Sequence, residues 1–173
     1  MKNIVFSLFI IFGMSTVYSQ IGMGTSVNEG KWRIGGGVGL GFGNNGYFGF
    51  NISPYAGYAV LPNMEMGVTA GFQYGKNDYY KSNLFSTGPY VNYYIANQFF
   101  ARGHYEYFSG TQTLLNNDQK FSFDESALWL GGGYQSTGRV RFQTGILYNV
   151  LYKENESIFR SPIRPFGGIA VSL

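Results

Sequence analysis

The chain has 173 residues, room for one domain of ordinary size, and carries 26 Gly, 15 Tyr, 16 Phe and no Cys, with charged residues at only 12%. So aromatic a composition excludes disorder, and so little charge suits a water-exposed surface poorly. The formal charge of +3 forms no basic run, which argues against nucleic acid as a partner, and the lack of cysteine excludes disulfides, thiolate metal sites and cysteine nucleophiles.

Residues 1–19 open with Lys2, continue through an apolar run to Met14 and end in Val17, Tyr18 and Ser19. This is the layout of a secretory signal peptide, with cleavage expected after Ser19 and a mature chain of 20–173. No later segment has the long uncharged apolar run of a membrane helix, so any crossing falls to strands.

The stretch 31–43, KWRIGGGVGLGFG, orders the rest. Its even positions are Trp32, Ile34, Gly36, Val38, Leu40 and Phe42, and its odd positions are Lys31, Arg33 and glycines. Successive strand residues point to opposite faces, so one face is oily and the other bare or charged. A strand that faces lipid outward and a crowded interior inward needs this arrangement. Asn44, Asn45 and Gly46 suit a tight reversal, because Asn and Gly tolerate positive φ.

The same zigzag recurs down the chain. Phe48, Phe50, Ile52, Ala56 and Tyr58 oppose Gly49, Asn51, Ser53 and Gly57, with Pro54 removing one ladder donor. Met66, Val68, Ala70, Phe72 and Tyr74 oppose Glu65, Gly67, Thr69, Gly71 and Gln73. After a polar loop at 76–83, the strand 84–95 points Phe85, Thr87, Pro89, Val91 and Tyr93 outward and Gly88, Tyr90 and Asn92 inward. Ala96 and Asn97 turn the chain into a fifth strand, where Phe99, Ala101, Gly103, Tyr105 and Tyr107 alternate with Arg102, His104 and Glu106. Residues 109–124 read as the longest irregular stretch, rich in Asn, Gln, Thr and Ser. Strand 125–135 leaves its facing open, since Leu128, Leu130 and Tyr134 oppose Trp129. Strand 139–152 sets Val140, Phe142, Ile146 and Tyr148 against Arg141, Gln143, Gly145 and Asn149, and after a charged loop at 153–159 the last strand alternates Ile163, Pro165, Ile169 and Val171 with Arg164, Phe166, Gly168 and Ala170.

These segments predict an all-β fold, an eight-stranded antiparallel up-and-down transmembrane β-barrel. Connections after the second, fourth and sixth strands are short and those after the third, fifth and seventh longer, so both ends of the mature chain are expected in the periplasm. Tyr58, Tyr74, Tyr93, Tyr94, Phe99, Phe108, Tyr134 and Tyr152 are expected in headgroup-level girdles.

On the segments 52–67 (ISPYAGYAVLPNMEMG) and 88–107 (GPYVNYYIANQFFARGHYEY) and the alternating last strand, the chain resembles the small outer-membrane β-barrel family, with a barrel like that of OmpX and the OmpA membrane domain. The Ser19/Gln20 cleavage point is similar to that of such proteins in Bacteroidota-type envelopes. The resemblance implies the outer membrane of a diderm bacterium, outer-membrane lipids as surroundings and the barrel-assembly machinery as partner during insertion. One departure is Leu173, where the family commonly ends in an aromatic residue. No domain like the OmpA peptidoglycan-binding domain is expected after the barrel.

Chemistry is sparse. Gly41, Gly43 and Gly46 fit GxGxxG, but a phosphate cradle must open a helix and here strand follows strand. His104 and Glu106 share one strand face, so an acid–base pair in a lipid-modifying enzyme is one reading. Lipid A deacylases are barrels of this size with a His-x-Ser arrangement, and His104-Tyr105-Glu106 lacks that serine. The reading favoured is structural: Asn92, Arg102, His104, Glu106, Arg141 and Arg164 pair across a narrow lumen. No catalytic, cofactor or metal residue is assigned. Side chains filling so narrow a barrel also argue against a solute channel. A soluble lipocalin-like barrel is the third reading and requires the oily face to point inward. Loops at 76–83 and 109–124 are the candidates for adhesion or ligand contact, against the plainer reading of solvated connections.

Overall fold

A computed structural model describes residues 31–96, 98–116 and 118–173, so the expected signal peptide, its cleavage point and the turn residue Asn97 lie outside the described residues. Eight strands form one closed barrel in sequence order: β1 (Trp32–Gly43), β2 (Tyr47–Leu61), β3 (Met64–Lys76), β4 (Tyr80–Ile95), β5 (Phe99–Leu114), β6 (Lys120–Gln135), β7 (Val140–Asn149) and β8 (Ile163–Ser172). Every neighbouring pair is antiparallel, and β8 returns to β1.

The inside-out facing holds throughout. Val38 is 78% exposed, Phe142 64% and Ile146 60%, whereas Trp129 and Glu65 are fully buried. Trp32 and Ile34 also face outward, so the oily set covers the barrel and does not line it, which overturns the lipocalin-like reading. The open question of β6 is resolved by burial: Trp129 and Ala127 face the axis and Leu130 and Tyr134 face outward.

Asn45 and Gly46 adopt positive φ in the first hairpin turn, as their side chains permit. Prolines interrupt the ladders where they face a neighbour. The β2–β3 ladder skips from Ile52↔Phe72 to Tyr55↔Thr69 around Pro54, and β4–β5 skips from Thr87↔Tyr107 to Tyr90↔His104 around Pro89. Both ladders resume beyond the gap.

Three expectations are corrected. Residues 76–83 are mostly strand, since β3 and β4 pair out to Lys76↔Lys81, leaving a turn at 77–79. Residues 109–124 are mostly a continuation of the β5–β6 hairpin, paired out to Thr113↔Lys120. The physical reason is the same: a hairpin that rises out of a bilayer into water no longer needs an apolar outer face, so its polarity mimics a loop. Third, the long connection lies at 150–162, because β7 ends at Asn149, earlier than its alternating pattern.

The aromatic girdles are also only partly as expected. Tyr58, Tyr93, Phe99 and Tyr134 are exposed at one end of the barrel, with Trp32 against Tyr58 and Phe99 against Tyr134. Tyr94 and Phe108 instead point inward and are buried.

Candidate functional site

Among the described residues, buried polar side chains gather in the lumen, and they are arranged in tiers. At the end nearest the short turns, Arg33 on β1 and Glu65 on β3 form a buried ion pair of 2.7 Å. Three donors converge on that carboxylate: Arg33 Nη1, the Tyr90 hydroxyl at 2.6 Å and the Tyr94 hydroxyl at 2.8 Å. Tyr94 in turn accepts from Asn92 Nδ2 at 3.2 Å, and Asn92 Oδ1 accepts from Arg102 Nε at 2.7 Å. Space for the Tyr90 ring comes from Gly57 and Gly67, where a Cβ would collide with it. Gly35 on β1 yields space to Tyr55 on the next strand.

Among the described residues no carboxylate pairs with Arg102. Its guanidinium carbon lies 4.8 Å from the Tyr90 ring centre and 5.1 Å from that of Phe166, and its Nη2 has no hydrogen-bond partner. Aromatic faces hold this cation in place of an anion.

One tier further along, His104 Nε2 lies 2.9 Å from Thr69 Oγ1. Glu106 accepts from Arg164 Nη1 at 2.9 Å, and the Arg164 guanidinium covers Trp129. Tyr55, Gln143 and Gln135 complete the wall, the Tyr55 hydroxyl donating to Gln143 Oε1 at 3.0 Å. A cavity of about 60 Å³ opens here, lined by Tyr55, Thr69, Arg102, His104, Glu106 and Arg164 together with Gly36, Gly37, Gly167 and Gly168. It holds a few water-sized spheres.

The far end is roofed. The 150–162 connection folds back so that Phe159 packs edge-on against Phe108 and Trp129, at 4.9 and 5.2 Å between ring centres. Glu125 on β6 latches it, accepting from Ser157 Oγ and from the Ile158 backbone N–H, both at 2.6 Å.

Charges thus occupy the axis while oily side chains coat the exterior. This is the fold of a transmembrane β-barrel. No protein-family model matches the sequence, and no curated protein matches it. Among solved structures, the chain is similar to Neisserial surface protein A (14% identity, TM-score 0.45, covering 83% of this chain and 96% of that one). It is similar to the outer-membrane protein Ail of Yersinia pestis (16% identity, TM-score 0.43, 84% and 100% covered). A de novo designed transmembrane β-barrel is a further match (14% identity, TM-score 0.42, 86% and 99% covered).

Of the six lumen residues expected from sequence, Asn92 and Arg102 join one network and His104, Glu106 and Arg164 sit together in the next tier. Arg141 makes no hydrogen bond to the other five among the described residues; its Nε donates to the Gly138 carbonyl at the rim at 2.9 Å, within electrostatic reach of Arg33 and Glu65. His104 and Glu106 share a face but take different partners, Thr69 and Arg164. The Arg33–Glu65 pair, the most deeply buried of the ion pairs described, was not among the six. Its signal was present, because both residues fall in the inward sets of their strands. Glu125 gave no comparable signal, since its partners lie on a connection without periodicity.

Proposed function

We propose that this protein is a non-enzymatic integral outer-membrane barrel with a structural role in the envelope, its chain ends in the periplasm and its β5–β6 hairpin and 150–162 roof on the outer side. The observation that carries this reading is the inversion of an ordinary core: Arg33, Glu65, Asn92 and Glu106 are buried while Val38, Phe142 and Ile146 stand exposed. Water would not tolerate that exterior, and lipid requires it. The barrel-assembly machinery is the partner for insertion and membrane lipids are the lasting contact. Adhesion or ligand contact belongs to the outer end, where Tyr79, Leu115 and Phe121 are exposed near the hairpin tips. The lumen serves as a cross-braced filling: His104 is held by Thr69 and Glu106 by Arg164, pairings that support a structural role.

Cell fractionation with gel migration of unheated and boiled samples tests this. The protein is expected with the outer membrane, released only by detergent, and migrating differently once boiled. Recovery in the periplasmic fluid without detergent refutes it. Replacing His104 with Ala is expected to leave lipid acylation unchanged, and altered acylation in that variant would establish the enzyme reading.

A further inference from the structure

The seam that closes the barrel is incomplete on one side. The β1–β8 ladder runs from Arg33↔Ser172 only to Gly36↔Ile169, although β1 continues to Gly43 and β8 begins at Ile163. Beyond the gaps at Pro54 and Pro89 their ladders resume, but here none does. The sequence supplies the cause. Ser172 donates its backbone N–H to Arg139 on the β7 side and Leu173 donates to Trp32 on the β1 side, so by alternation the odd residues of β8 face β1. Pro165 is one of these and has no N–H to offer. Opposite it stand β1 residues separated by glycines, which hold strand conformation weakly.

The open stretch is flanked on the outside by Val38, Leu40 and Ile163, all exposed. Backbone groups left unpaired at a lipid-facing edge are costly unless something polar meets them. Immediately behind the end of the ladder lies the lumen cavity, whose lining includes the seam residues Gly36, Gly37, Gly167 and Gly168. Its charged lining is Arg102 and Arg164 against Glu106 alone, with His104 beside them. Arg164 keeps 31% of its side chain accessible there even while paired to Glu106.

We propose that this half of the β1–β8 seam is a lateral portal through which the phosphate headgroup of a membrane amphiphile reaches the Arg164 side of the cavity, its acyl chains remaining against Val38, Leu40 and Ile163. The inference rests on the membrane reading above. Charge complementarity selects an anionic headgroup; the two backbones still touch at Gly37 and Gly167, so the entry falls beyond them, between the unpaired parts of β1 and β8. The cavity has room for a small anionic group beside Arg164.

The test uses the folded protein in detergent micelles, offered dioleoyl phosphatidate, dioleoyl phosphatidylcholine or inorganic phosphate, with retained adducts read by native mass spectrometry. Unheated gel migration confirms that each sample is folded. Phosphatidate is expected to be retained about tenfold more than phosphatidylcholine. Two variants report on the route and the site. Gly167→Leu places a side chain over the portal, and a Cβ at Gly167 meets nothing nearer than the Gln143 carbonyl at 3.7 Å, so its first atom has room. The double variant Glu106→Gln, Arg164→Gln removes the cation without stranding a carboxylate. Both are expected to abolish the preference. Equal retention of the two lipids, or a preference that survives either variant, overturns the portal while leaving the barrel reading intact. Displacement of phosphatidate by equimolar inorganic phosphate overturns the lipid as the source of the anion. A chain that shows no heat-modifiable migration overturns the membrane reading itself.

Discussion

Replacing Glu65 with Ala tests what holds the barrel closed at its short-turn end. Glu65 is fully buried and receives three hydrogen bonds of 2.6–2.8 Å, one of them from the buried Arg33 guanidinium. Its removal strands a cation in the lumen and leaves two tyrosine hydroxyls without their acceptor. Breaking a buried pair by removing one partner costs about 3–5 kcal/mol, because the surviving charge stays desolvated. Removing Arg33 as well, in the double variant Glu65→Ala, Arg33→Met, eliminates that charge. The double variant is therefore expected to be more stable than the sum of the two single changes predicts, by about 2 kcal/mol. Urea titration in detergent micelles, followed by circular dichroism in the strand region, measures both quantities. A Glu65→Ala midpoint corresponding to a loss under about 1 kcal/mol, or strictly additive single changes, would refute the claim that this pair is a desolvated brace.

Gly57→Ala puts a methyl group into the Tyr90 hydroxyl, so it should destabilise the barrel by about 1–3 kcal/mol, and Tyr90→Phe in the same chain should recover part of the loss; the same titration reads both. Glu125→Ala releases Ser157 and Ile158, and trypsin should then cut the 150–162 connection at Lys153 or Arg160 markedly faster while the strands stay intact. Ile146→Arg on the lipid face should cost about 2–4 kcal/mol in vesicles, whereas the same change at the exposed tip residue Leu115 should cost little.

Much of this fold was legible because a barrel wall imposes a period of two on every strand that crosses lipid. Trp32 to Phe42, Met66 to Phe72 and Val140 to Tyr148 announce their facing through that period alone. Legibility ends where the lipid ends. The upper parts of β5 and β6 carry Thr111, Thr113 and Ser122, residues that water accepts on either face, so the alternation that marks a membrane strand disappears. The lumen was half readable. Asn92, Arg102, His104, Glu106 and Arg164 could be assigned to the axis, but which carboxylate meets which cation depends on stagger between strands distant in sequence, as with Arg33 and Glu65. Tyr94 and Phe108 misled because an aromatic residue near a strand end suits both a headgroup girdle and a lumen plug.

The two tryptophans occupy opposite environments: Trp32 is 56% exposed on the outer wall, and Trp129 is completely enclosed beneath Phe159. Emission from Trp32 will therefore respond to arrival in the bilayer. Trp129 becomes shielded only after the last hairpin has docked and its connection has settled over the barrel. The chain carries two intrinsic optical probes, one for insertion and one for completion, and the interval between their signals is the time the protein spends embedded but unfinished.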